Sequence, residues 1–235
     1  MLKLISVPGL LLVLLSSCGY EGRHVATGPL RTDPVSIALG DAERANIEFD
    51  LAAGELDLRG GAQKLLQGTF EYNVADWKPI VQTSTIGSHA TITIKEPEGT
   101  HMGGDTHYTW DLSLNDKVLL DLTLNCGAGH AKMDLGSLDL RSVQVHMGAG
   151  QVDLDLEGHP TRDYDVEING GVGQATVHLP QGVGVRAEAH GGLGSIDVSG
   201  LEKKGQYYEN SLYDNAKVNV RLKVEGGIGE IRIIG

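Results

Sequence analysis

One motif recurs along the second half of this chain at a nearly constant spacing and leaves few folds open to it. Gly127-Ala128-Gly129, Gly148-Ala149-Gly150, Gly171-Val172-Gly173, Gly192-Leu193-Gly194 and Gly227-Ile228-Gly229 each lie between stretches in which apolar residues alternate with polar ones. Val143, Val145 and Met147 precede one such triplet, and Val152 and Leu154 follow it. The first glycines are 21, 23, 21 and 35 residues apart, and the last step equals one period plus a 14-residue insertion within Gly200 to Lys217. Alternation with a period of two specifies strands that bury one face, and paired glycines let the backbone turn a corner. At about 3.3 Å per residue, one period is a single circuit of a narrow coil. The sequence therefore predicts an all-β fold, a β-solenoid (single-stranded β-helix-like) with coils of about 21 residues, preceded by an N-terminal β region. Its core is expected to be fed by the apolar ladder Ala128, Ala149, Val172, Leu193 and Ile228 with the flanking rows. A regular antiparallel sandwich is the competing architecture.

A degenerate copy of the motif, Ile47 to Leu58 with Gly54 at its corner, extends the device towards the N-terminus. Further alternating stretches at 68–74, 79–86 and 91–95 are separated by Trp77 and by a loop over 96–107. The expected organisation is a leader over 1–17, a flexible tether over 18–34 rich in glycine and proline, an N-terminal β domain over 35–116 and the solenoid over 117–235.

The apolar run from Leu4 to Leu15, after Lys3, is shorter than the roughly 20 residues a bilayer span needs and reads as a signal-peptide core. It leads into Leu15-Ser16-Ser17-Cys18, which resembles the lipobox of bacterial lipoproteins. The resemblance implies cleavage before Cys18, acylation of that cysteine, and attachment of the chain to a membrane by lipid alone. Gly19 stands where an aspartate marks inner-membrane retention in some enteric bacteria, which favours the periplasmic side of an outer membrane or the cell surface. With Cys18 acylated, Cys126 is left as a single thiol and is expected to be buried. The 31 acidic against 19 basic side chains give a formal charge of −12 and exclude nucleic acid and anionic headgroups as partners.

With these residues set out, the chain resembles the toast-rack family of bacterial envelope proteins. The N-terminal half carries the resemblance in Leu39 to Arg44, the Ala52-to-Leu58 turn, and Phe70 to Asn73 with Trp77. Tyr213 to Val218, leading into Gly227 to Ile231, resembles the solenoid of adhesin-type proteins and of LiaF-like envelope-stress proteins. The family has no agreed catalytic role, so the resemblance implies a non-catalytic envelope protein that binds or scaffolds, with a stress role among the functions of its relatives.

Chemistry is sparse. The row Asn125, His146, Asn169, His190 and Glu225 is expected on the outside of the coils, where a line of side chains brings at most two ligands to one metal. Gly191 to Asp197 superficially resembles a calcium-binding nonapeptide, but its aspartate falls on the wrong parity. No metal site and no cofactor is expected. Asp153 and Asp155 are the carboxylates a glycan-acting enzyme would use, yet the turns are too tight to wall a cleft. The insertion holds Tyr207, Tyr208 and Tyr213, which suit contacts to an envelope protein or cell-wall glycan, or a loop that folds back to cap the solenoid. His101, Asp105 and His107 form a loose set of ligand types in one loop. Self-association, through the last strand from Ile231 to Ile234, is the remaining alternative.

Overall fold

A computed structural model describes residues 25–99 and 105–235. Six long strands dominate it: β2 (Arg44–Arg59), β7 (Leu119–Asp134), β8 (Leu140–Asp155), β9 (Tyr164–His178), β10 (Gly184–Ser199) and β13 (Asn219–Ile234). Between them lie β1 (Arg31–Ile37), β3 (Leu66–Tyr72), β4 (Ile80–Ile86), β5 (His89–Lys95), β6 (Tyr108–Leu114), β11 (Glu202–Lys204) and β12 (Tyr207–Glu209). All belong to one sheet, in which the long strands run parallel in the order β2-β7-β8-β9-β13-β10.

β7, β8, β9, β10 and β13 each bend at their glycine triplet, and β2 bends at Ala52-Ala53-Gly54. Leu120, Leu122, Leu124 and Cys126 are buried before the bend of β7, and Ala131 and Met133 after it. Burial moves from even to odd positions across the corner, so both arms face inward and the stacked arms form two layers over a shared core. A short turn at Leu135 to Leu140 closes the circuit, and register repeats 21 residues on, with Leu122 against Val143. The solenoid reading holds, and the core is a single cluster from Ala45 to Ile233.

The strand order departs from the sequence order. β13 lies between β9 and β10, with Leu222 paired to both Val166 and Ala187. The insertion gives the chain enough length to leave β10, build the hairpin β11–β12 on its outer side, and return along its inner side. Ile231 to Ile234 are consequently bonded to strands on both flanks, so the last strand offers no edge for self-association. The apolar ladder is a second correction. Val172 and Ile228 are each 53% exposed and Leu193 is 70% exposed, because the middle residue of each triplet points out of the corner.

At the other end, which we call the head, β5 pairs with the first arm of β2 and β6 with the second. β4 extends the first layer, and β3 and β1 extend the second. The sheet thus runs without a break across residue 116. β1 begins at Arg31, inside the segment expected to be tether, and pairs with β3 through Pro34 and beyond. Edge-to-face contacts among Phe70, Trp110, Tyr108, Tyr72 and Trp77 close this end of the core, with centroids 5.6 to 6.5 Å apart. Tyr72 donates from its hydroxyl to Asp33 at 2.6 Å, fixing β1 over the cluster.

Candidate binding surface

The corners decide which side chains meet solvent. A Cβ on Gly148 would lie 2.3 Å from the Gly127 carbonyl oxygen, and one on Gly150 would lie 1.9 Å from that of Gly129. Gly150 also has φ +134°, which side-chain-bearing residues rarely adopt. Close stacking of the corners therefore requires glycine on both sides of the outward residue. The outward residues make a ridge along the corner in the spatial order Ala53, Ala128, Ala149, Val172, Ile228, Leu193, with neighbours roughly 4.8 Å apart. The ridge changes from alanine to large apolar residues towards β10, where Ile196 is also 39% exposed.

That end, the tail, is capped in one layer only. β12 pairs with β10 at Arg186 and Ala187, and the outer edge of β10 beyond Ala187 carries no strand among the described residues. The Arg186 guanidinium lies 4.1 Å from the Tyr213 ring centroid and 5.0 Å from that of Tyr207. It donates to Glu209 at 2.5 Å and holds that carboxyl below its usual range. Lys203 lies over the Tyr208 ring at 5.5 Å. Asn210 accepts from the Val185 and Leu212 amides and donates to the Val183 carbonyl, tying the insertion to β10. Tyr213 is buried and Tyr207 and Tyr208 are half-buried, so the insertion folds back as a cap.

The outer polar row is occupied with neighbours. Asn125 donates to Asp50 at 2.7 Å, His190 lies 2.6 Å from Glu188, and Lys223 bridges Glu225 and Glu167. Asp153 pairs with His130 at 2.9 Å, and Asp155 accepts the Glu157 amide, both on the open outer face. Among the described residues no three metal-ligating side chains converge. His101 lies outside the described residues, as do Cys18 and the rest of the leader. His107 stands 3.6 Å from Glu71. Cys126 is buried in the corner, where desolvation pushes its thiol up to about 11.

Glu96 was not singled out by its sequence position. β5 leaves β2 after Asp50 and β6 joins it at Glu55, so the first corner lacks an outer strand. Glu96 fills that gap by accepting the Ala53 amide at 3.2 Å. Burial lifts its carboxyl to about 7, and its second oxygen is buried with no hydrogen-bond partner among the described residues. The only sequence signal is an acid directly after an alternating strand.

Residues 26–178 match the model of the N-terminal domain of toast_rack, DUF2154, well over half of the chain. The chain belongs to the toast-rack family. A candidate cell adhesion protein from Clostridium sporogenes is 31% identical to this toast-rack chain and superposes with a TM-score of 0.84. The likeness covers 87% of this chain and 99% of that one. A candidate adhesin from Bacteroides fragilis, 10% identical over 88% of this chain and 97% of its own, has a TM-score of 0.33, too low to carry an argument. No curated protein matches the chain.

Proposed function

We propose that this toast-rack chain is a lipid-tethered, non-catalytic envelope protein with an adhesin-like binding role. The observation that carries the reading is the 31% identity, over nearly the whole of both chains, to the candidate cell adhesion protein of Clostridium sporogenes. Exposed carboxylates with no cleft around them favour binding over glycan hydrolysis. The tether reading rests on Leu15-Ser16-Ser17-Cys18. It agrees with the place where the chain joins the fold, since Gly28 donates to the Asn73 carbonyl at the head. The tail, with Leu193 and Ile196 exposed, then points away from the anchoring membrane.

The test has two arms in intact cells. Cys18→Ala is expected to move the protein from the membrane fraction to the soluble fraction. A photo-crosslinking residue at position 193 is expected to give one discrete adduct that the same residue on the Lys132 face does not give. Retention of Cys18→Ala in the membrane, or identical adducts from both positions, refutes the respective arm.

A further inference from the structure

At the head, the first layer ends in β4, which pairs with β5 on one side and carries no strand on the other among the described residues. All seven of its residues are exposed, Ile86 at 84%, Ile80 at 41% and Val81 at 36%. Val81, Thr83 and Thr85 stand beside Ile94, Ile92 and Ala90, which are buried, so even the core-side row of β4 meets solvent. With both faces open, β4 stands clear of the second layer, and a further strand has room beside it.

An open edge is a template for pairing, and proteins blunt it with charge, proline or shortness. The other outermost strands are blunted in this way. β1 contains Arg31, Asp33 and Pro34, and β11 is the three charged residues Glu202-Lys203-Lys204. The open part of β10 contains Asp197. β4, which reads Ile80-Val81-Gln82-Thr83-Ser84-Thr85-Ile86, has no charge, no proline and no glycine, and five of its residues are β-branched.

We propose that β4 is the interface for a second copy of this chain, whose own β4 pairs with it antiparallel about a two-fold axis at Thr83. The strand is self-complementary in that register. Ile80 of one copy falls opposite Ile86 of the other, Val81 opposite Thr85, Gln82 opposite Ser84, and Thr83 opposite itself. Each pair keeps both residues on one face of the sheet, and Ile86, the most exposed residue of the strand, gains an apolar neighbour. No like charges meet along the strand, which matters between two chains that each carry a formal −12. Head-to-tail stacking is closed to β4, because β12 and β11 cover the first layer at the tail. The contact is therefore isologous and stops at two copies. It goes beyond the proposed binding role and rests on neither the tether nor adhesion.

The test is cysteine crosslinking of the full chain in intact cells, with the wild type, which keeps Cys18 and Cys126, as the background. In Thr83→Cys the two thiols face each other across the axis, with Cα atoms about 4.5–5.5 Å apart, inside the range a disulfide spans. Mild oxidation is expected to join two copies at least tenfold faster than in Asp197→Cys, on the open edge of β10. Co-expressed Val81→Cys and Thr85→Cys chains are expected to join to each other in preference to themselves, as read by mass spectrometry of the linked peptides. Adding Thr83→Lys to both chains sets two like charges face to face. It is expected to slow that joining at least tenfold while the circular dichroism spectrum stays unchanged. Joining of Thr83→Cys no faster than of Asp197→Cys overturns the proposal. So does self-joining of Val81→Cys as fast as its joining to Thr85→Cys, or a rate indifferent to Thr83→Lys. A Thr83→Cys adduct to a different protein in place of the dimer overturns it in favour of that protein's strand.

Discussion

The same substitution at two neighbouring glycines is expected to act with opposite signs. In Gly150→Ala the new methyl carbon lies 1.9 Å from the Gly129 carbonyl oxygen, and the residue must hold φ +134°. Relief requires adjacent strands to part by about 1 Å where hydrogen bonds hold them near 4.8 Å. Backbone strain of about 1–3 kcal/mol and one or two weakened bonds of about 1 kcal/mol each bring the cost to about 2–5 kcal/mol. In Gly170→Ala the methyl carbon meets nothing closer than 3.8 Å and partly fills a cavity. Reduced freedom of the unfolded chain and a better strand residue add about 0.5–1 kcal/mol. Urea unfolding followed by circular dichroism reads both. With a slope near 2 kcal/mol per molar, Gly150→Ala lowers the midpoint by about 1 M or more, and Gly170→Ala raises it by a few tenths. Equal destabilisation by the two would refute the distinction between structural and space-making glycines.

Ending the chain after Lys217 removes β13 from the interior of the sheet, so β10 and its cap are expected to detach; limited proteolysis should then cut within 184–209, and protection of that segment would contradict the strand order. Arg186→Lys keeps the ion pair with Glu209 but loses planar stacking on Tyr207 and Tyr213, at a cost of about 1 kcal/mol in thermal unfolding. Full stability in that variant would show that the rings do not hold the cap. Glu96, lifted from 4.5 in the unfolded chain to about 7, stabilises fully below about pH 4.5 and loses that contribution as pH rises through 7. Stability relative to Glu96→Gln should therefore fall between those pH values by about 1–2 kcal/mol, allowing for its partial exposure, and a flat difference would refute the assignment.

Sequence alone determined the all-β class, the 21-residue coil and the positions of the corners, because a period of two and a sterically required glycine are local properties. It also offered the cap, as one of two readings of the tyrosine insertion, since a terminal coil needs cover. Tertiary structure decided what depends on partners distant in sequence. The parity change across Gly127-Ala128-Gly129 is set by how two arms fold over one core, so the triplet's middle residue looked like core and proved to be ridge. The slot between β9 and β10 is filled by residues 56 positions from Val166, and no periodicity distinguishes that order from sequential stacking. Glu96 acts at Ala53, 43 residues away, through a gap that exists only after β5 and β6 have both docked. Glycines 170, 226 and 191 looked like repeat punctuation; only the spatial order of the strands sets them in one column, beside a cavity of about 80 Å³.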